Sequence, residues 1–137
     1  MTGLAARIAE EGARLADACT ACGACVTACP MTPYAAGVDA ADPGLVAAGM
    51  RAVLRGEGAV APEAVAWIAA STRSGQCSAA CPERLDVALM LRFATMRARG
   101  ATGEAALYAT KPDPAWSSRV KAFGRVTLTE EEQARWL

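Results

Sequence analysis

The sequence predicts an all-α protein, because apolar residues recur at helical spacing, helix-capping residues precede those segments, and no alternating strand pattern occurs. The chain has 137 residues, of which 53% are hydrophobic and only 5% aromatic. About a quarter of the residues are alanine, which favours helices but buries little surface. We therefore expect one small helical domain with a thin core, followed by an extension.

Four longer helices are predicted in the first hundred residues. Each is indicated by apolar residues three or four positions apart and by a start or stop signal at its ends. In chain order they run from Gly3 to Ala18, from Pro43 to Gly56 with Asp42 as the cap, from Pro62 to the Ser74–Gly75 pair, and from the cap Asp86 to Gly100.

The chain changes character after Gly100, so we predict a helical domain over residues 1–100 and an extended C-terminal tail over residues 101–137. The segment from Lys111 to Pro114 holds two prolines and cannot be regular helix. Thr129 and Glu132 form a capping box for a short last helix. Between them, basic residues surround two aromatic residues without helical amphipathicity, which predicts docking on a partner. These residues are Lys111, Trp116, Arg119, Lys121, Phe123 and Arg125.

Composition excludes several classes of function. Fourteen basic and fourteen acidic residues argue against a nucleic-acid binder held by bulk charge. The absence of histidine excludes Ser–His and Cys–His nucleophiles, histidine-ligated zinc and haem, and Rieske centres. The charged N-terminus is not a signal peptide, and the uncharged stretch from Ala18 to Val38 contains cysteines and prolines untypical of a membrane span. We expect a cytoplasmic protein, attached to a membrane at most through a partner.

Six cysteines carry the functional signal, and four of them form the run Cys19-x-x-Cys22-x-x-Cys25-x-x-x-Cys29-Pro30. This spacing is used to bind a [4Fe–4S] cluster. Thiolates are soft ligands that suit its iron, and the small residues between them let the backbone turn closely around the cube. Zinc sites use separated pairs of cysteines instead, so the run fits zinc poorly.

The second half of the chain repeats the motif incompletely as Ser71-x-x-Ser74-x-x-Cys77-x-x-x-Cys81-Pro82. In two-cluster ferredoxins the last cysteine of each run binds the other cluster. By that crossed rule the first cluster is held by Cys19, Cys22, Cys25 and Cys81. The second site retains Cys29 and Cys77, with Ser71 and Ser74 nearby.

Three arrangements of the second site are left open. The site is vacant, with Cys29 and Cys77 as neighbouring thiols or, when oxidised, a disulfide. Alternatively, it holds a second [4Fe–4S] or a [3Fe–4S] cluster that uses the Ser71 oxygen or lacks one iron. In the third arrangement the run from Cys19 to Cys29 binds the sole cluster, and Cys77 and Cys81 are not ligands.

Two cysteine motifs separated by helices resemble the α-helical ferredoxin domain. That domain occurs in the C subunit of heterodisulfide reductase and in the iron–sulfur subunits of succinate dehydrogenase and fumarate reductase. The resemblance covers about residues 4–100 and includes Trp67 ahead of the second motif. In the dehydrogenases the second motif has a non-cysteine at its middle position, which Ser74 matches, whereas Ser71 departs from the pattern. The resemblance implies a ferredoxin-like helical bundle.

The cysteine pattern together with this resemblance predicts an electron-transfer subunit of an oxidoreductase complex rather than a catalytic chain. The implied partners are a flavin dehydrogenase, an electron-transfer flavoprotein or a subunit of the heterodisulfide reductase type. The alternatives are a redox or iron sensor that regulates a partner and, third, a zinc-stapled interaction module. Two further predictions concern packing: Trp67 fills the core, and Arg92, Arg97 and Arg99 form a solvated helix face.

Overall fold

A computed structural model describes residues 3–72, 74–108 and 116–136, with the side chains of 116–120 left out. These residues contain eight α-helices and one 3₁₀ turn (Thr32–Tyr34) and no strand, which confirms the all-α prediction. The helices are α1 (Leu4–Ala18), α2 (Ala24–Ala28), α3 (Pro43–Leu54), α4 (Pro62–Ala70), α5 (Gln76–Ala80), α6 (Val87–Ala98), α7 (Trp116–Thr127) and α8 (Glu130–Trp136). None of the described helices is long and apolar enough to cross a membrane.

Helix α3 lies at the centre of the bundle, where it packs against α1, α2, α4 and α6. Its close approach to α4 depends on Gly49, since a Cβ there would lie 2.3 Å from the Cβ of Ala64. The core formed between these helices includes the fully buried side chains of Met50, Trp67 and Met90. This confirms that Trp67 fills the core.

Side-chain caps fix the starts of three helices at the predicted residues. Asp42 Oδ1 accepts hydrogen bonds from the amides of Gly44 (2.8 Å) and Leu45 (3.3 Å) at the start of α3. Asp86 Oδ1 accepts from the amide of Leu89 (2.9 Å) at the start of α6. The Thr129–Glu132 capping box is also present at α8. Helix α4, however, ends at Ala70 rather than near Ser74 and Gly75.

Arg97 corrects the prediction of a solvated basic face on α6. Its side chain is buried, whereas Arg92 and Arg99 are exposed as predicted. The guanidinium donates from Nη1 to the carbonyl oxygen of Leu54 (2.8 Å) and pairs with the carboxylate of Glu104. The end of a helix leaves carbonyl groups without partners, and Arg97 supplies a donor to the end of α3.

The tail also differs from its predicted form, because residues 116–127 are helical and amphipathic. Apolar residues recur there at Trp116, Val120 and Phe123, a pattern that the many intervening basic residues obscured. Helix α7 packs against α8, while the side chains of Phe123 and Val126 stay exposed. The segment around Lys111 and the side chains of Trp116 and Arg119 lie outside the described parts. The division of the chain at residue 100 stays a prediction.

Candidate metal centre

The first cysteine segment begins where α1 ends. The backbone N–H of Cys19 donates to the carbonyl oxygens of Leu15 and Ala16 and closes the helix. The chain then turns sharply, because Ala21 and Gly23 both adopt left-handed backbone conformations, with φ of 55° and 81°. This turn brings the amide of Ala21 to 3.4 Å from the Sγ atom of Cys19, to which it donates a hydrogen bond. An amide directed at sulfur stabilises a thiolate and so suits a metal-bound cysteine.

Helix α2 then separates the remaining cysteines by exposure. Gly23 precedes the helix, Cys25 lies in its first turn and is buried, and Cys29 follows its last residue and is also buried. Cys22, by contrast, is exposed. The segment therefore directs two thiols toward the protein interior and leaves one thiol at the surface.

The second segment repeats the backbone conformation of the first at the residues that flank its short helix. Gly75 precedes α5 with φ 81° and ψ −5°, compared with 81° and 1° for Gly23 before α2. Cys81 follows α5 with φ −69° and ψ 118°, compared with −68° and 125° for Cys29 after α2. Ser71 follows the end of α4 just as Cys19 follows the end of α1. The incomplete repeat seen in the sequence is thus also a repeat of local structure.

The structure brings the two segments together, because α2 packs against α5. Cys25, Cys29 and Cys77 belong to one buried cluster, and the partly buried Cys19 and Cys81 pack against it. The two serines lie toward the outside: Ser71 is half-buried, and Ser74 is exposed. The oxygen of Ser74 accepts a hydrogen bond from the amide of Gln76 at 3.4 Å. All six cysteines are free thiols.

Burial and the charge of neighbouring thiolates raise the pKa of two of the thiols, Cys25 and Cys77. Burial, together with the negative charges of Cys19, Cys77 and Cys22, raises the pKa of Cys25 to about 12. Burial also raises the pKa of Cys77, and the charge of Cys29 adds to this effect. A cationic metal core reverses both effects, since it attracts thiolates and replaces the lost solvation. The donor set therefore suits a cationic metal group that neutralises clustered thiolates.

The described residues contain no preformed group of ligands for a single metal ion. Within residues 3–72, 74–108 and 116–136, no three cysteine, aspartate or glutamate side chains converge to hold one metal ion. A zinc staple requires such a convergence, because its ligands bind the same atom. In a cubane cluster each thiolate binds a different iron, so the sulfur atoms stand further apart.

Helices α2 and α5 were not predicted from the sequence. Each has five residues, which is too short to show helical periodicity. Neither has a side-chain cap, since a left-handed glycine precedes each one. The signal that could have found them is the repeated position of Gly23 and Gly75 within the two motifs.

Comparison with known proteins supports the identity of the bound group. The family model of the 4Fe-4S binding domain matches residues 15–31, which contain the last turn of α1, the left-handed turn and α2. No curated protein and no solved structure matches the chain. The matched segment contains the four cysteines of the first run, and the match indicates a [4Fe–4S] cluster and a general role in iron–sulfur electron transfer.

Proposed function

We propose that this chain is a one-electron carrier in which Cys19, Cys22, Cys25 and Cys81 hold one [4Fe–4S] cluster. The observation that supports this most directly is the packing of α2 against α5, which brings the two cysteine segments, far apart in the sequence, to one cysteine-rich core. The crossed use of Cys81 follows the pattern of two-cluster ferredoxins. When bound, the cluster accepts and releases one electron.

The protein residues determine how that group is held and screened. Cys25 and the surrounding buried residues exclude water from the inner side of the site. The amide of Ala21 stabilises the thiolate of Cys19. Exposed Cys22 leaves one side of the site near the surface, which suits electron exchange with another protein. Burial and amide hydrogen bonds are the means by which a protein adjusts a cluster's reduction potential.

We propose a single cluster per chain. Ser71 and Ser74 stand at the sequence positions that correspond to Cys19 and Cys22 in the first run, and a serine oxygen is a harder ligand than a thiolate. The second site therefore lacks two of the four soft ligands that a cubane uses.

Metal analysis of protein purified without oxygen tests both proposals. We expect about four irons and four inorganic sulfides per chain, a brown absorbance that bleaches on reduction, and one EPR signal in the reduced state. Seven or eight irons would show a second cluster at Cys29 and Cys77. One zinc without sulfide would overturn the proposed carrier function.

The partners that we propose are other redox subunits: a flavin dehydrogenase, an electron-transfer flavoprotein or a subunit of the heterodisulfide reductase type. The C-terminal tail supports such an interaction, because the exposed Phe123 and Val126 lie on a helix that carries basic residues. Purification of the native complex with the full chain as bait tests the partner class. Recovery of a flavin- or cluster-containing subunit is the expected result.

A redox sensor is the second candidate, and the exposure of Cys22 favours it because oxygen can reach that side of the site. A sensor would lose its cluster on brief exposure to air and change its affinity for a partner. A carrier would exchange electrons quickly and reversibly without a change in affinity. Cyclic voltammetry and partner binding, measured before and after exposure to air, distinguish the two.

A further inference from the structure

The stretch of sequence that contains the first cysteine segment is acidic, although the whole chain has no net charge. Residues 15–50 contain three aspartates, Asp17, Asp39 and Asp42, and no lysine or arginine. Asp17 pairs with Arg55, but Asp39 and Asp42 form no ion pair with any residue that the structure describes. Both are exposed. Two aspartates on this part of the chain are therefore not neutralised by a neighbouring cation.

The cysteine turn is in direct contact with the start of α3. A Cβ at Gly23 would lie 2.5 Å from the carbonyl carbon of Pro43 and 2.6 Å from the amide nitrogen of Gly44. A Cβ at Gly44 would lie 3.2 Å from the carbonyl oxygen of Ala21. Exposed Cys22 therefore lies beside the first turn of α3, and that turn presents Leu45 with 69% of its surface exposed.

A groove of about 220 Å³ lies between the first turns of α3 and α4. Alanines and Val46 form its apolar floor, and Asp42, Leu45 and Glu63 stand around it. A Cβ at Gly37 would lie 3.3 Å from the Glu63 side chain, so the loop that leads to Asp39 passes close to one side of the groove. Like the two aspartates, Glu63 has no ion-pair partner among the described residues.

We propose that Asp39, Asp42, Leu45 and Glu63, here named the acidic rim, form the docking surface for a redox partner whose contact face carries lysine or arginine. Interfaces combine an apolar centre with charges of opposite sign, which accelerate encounter and suppress wrong partners. Leu45 and the groove floor supply the apolar centre, and the three carboxylates supply the charge. The proposal rests on the proposed function, since exposed Cys22 beside the rim becomes the site of electron exchange only in the cluster-loaded protein.

The first experiment measures binding at the acidic rim in the absence of electron transfer. The probe is a basic c-type cytochrome, titrated calorimetrically into the cluster-loaded protein with both proteins oxidised and in about 0.1 M salt. We expect Asp42→Asn and Glu63→Gln each to raise the Kd about two- to tenfold, because each removes one attractive charge. Asparagine still caps α3, so Asp42→Asn changes charge without removing the cap.

Glu57→Gln is the matched control. Glu57 is exposed just after the end of α3 and lies about 18 Å from the rim by the rise of the twelve-residue helix. That distance exceeds the Debye length of about 10 Å at 0.1 M salt. We expect its Kd to match that of the unmodified protein. A Kd that Asp42→Asn leaves unchanged, or that Glu57→Gln raises equally, would overturn the proposal.

Two small metal complexes of opposite charge test whether electrons leave the protein at the acidic rim. The reduced protein gives one electron either to hexaamminecobalt(III), which becomes cobalt(II), or to anionic iron(III)–EDTA, which becomes iron(II). Added salt should slow the first reaction and accelerate the second. Leu45→Ser should slow electron transfer to the cytochrome but leave the cobalt rate unchanged, because a small ion needs no apolar contact.

The outcomes separate the two proposals. A coloured, reducible protein that shows the same salt dependence with both complexes overturns the acidic rim and leaves the carrier function intact. A colourless protein that binds no iron overturns the carrier function, and the rim as an electron-exchange surface with it.

Discussion

Cys22 and Cys25 are three residues apart in one motif, yet their environments differ completely. Cys25 is buried, and the pKa of its thiol is raised to about 12, whereas Cys22 is exposed. The left-handed Gly23 between them causes the difference, because it reverses the chain direction before α2 begins. At the scale of single residues, the site therefore depends on backbone conformation as much as on the thiols.

The crossed ligand set can be tested one cysteine at a time. We expect Cys81→Ala to abolish the cluster as completely as Cys22→Ala, while Cys29→Ala keeps about four irons per chain, because only the first two remove a proposed ligand. Iron analysis and visible absorbance after anaerobic purification measure the result. Loss of iron in Cys29→Ala with full retention in Cys81→Ala would assign all four ligands to the first run instead.

Gly23 and Gly75 form a natural pair for testing the turn. Both have φ 81°, but an alanine Cβ at residue 23 would collide with the backbone of α3, whereas nothing lies within 4 Å of one at residue 75. We expect Gly75→Ala to lower the free energy of unfolding by about 1 kcal/mol, which is the left-handed strain alone. Gly23→Ala should cost about 2–5 kcal/mol, since overpacking adds to the strain.

Chemical denaturation of both glycine variants under anaerobic conditions provides these values. The same samples give their iron content, which we expect to fall for Gly23→Ala only. Equal losses of stability would mean that the contact between the cysteine turn and α3 contributes nothing.

At the scale of secondary structure, α6 is connected to two other parts of the fold by one side chain. Arg97 bonds the carbonyl of Leu54 at the end of α3 and also pairs with Glu104 beyond the end of α6. The sequence suggested a solvated arginine, because its neighbours Arg92 and Arg99 share its charge and lie on the same helix. Nothing local shows that residue 97 faces the end of another helix forty-three positions earlier.

Arg97→Met tests this connection, with Arg92→Met as the control on the exposed side of α6. We expect Arg97→Met to lower the free energy of unfolding by about 2–4 kcal/mol, because it leaves a buried carbonyl and a carboxylate without their partner. Arg92→Met should change it by less than about 0.5 kcal/mol. Denaturant titration of the two variants gives both free energies of unfolding. Equal losses in Arg97→Met and Arg92→Met would show that Arg97 does not stabilise the contact between α3 and α6.

The predictable elements were those that carry their own signals in sequence. Asp42 and Asp86 indicated the starts of α3 and α6 because a carboxylate cap is a local hydrogen bond to nearby amides. Helices α2 and α5 have no such cap and too few residues for periodicity. The sequence therefore gives no local signal for them, and they are recognised only in the structure. The spacing predicted that the cysteines are iron ligands, but it gave no indication of the difference in their exposure.

At the scale of the whole molecule, the helical bundle and the C-terminal helices differ in how far their apolar side chains are buried. The bundle surrounds its core, whereas α7 presents Phe123 and Val126 with 71% and 85% of their surfaces exposed. We proposed this tail as the attachment to other redox subunits. Its two apolar residues should therefore matter for assembly and not for folding.

Phe123→Ser with Val126→Ser tests the tail in the full chain. We expect the double variant to keep its iron content and its melting temperature within about 2 °C, since exposed side chains contribute little to stability. It should lose most of its partner in co-purification from native extract. Lys121→Gln, on the same helix, is the control for a change of charge alone. Undiminished recovery of the partner with the double variant would assign attachment to another surface.

Only one of the six cysteines is exposed, and it stands on one side of the bundle. A protein with two redox centres can accept electrons from a donor at one side and pass them to an acceptor at another side while both partners stay bound. With the single centre that we propose, most accessible at Cys22, donor and acceptor would compete for the same surface. We therefore expect donor and acceptor to bind alternately, so that the rate of electron transfer is limited by how quickly one partner dissociates and the next one binds.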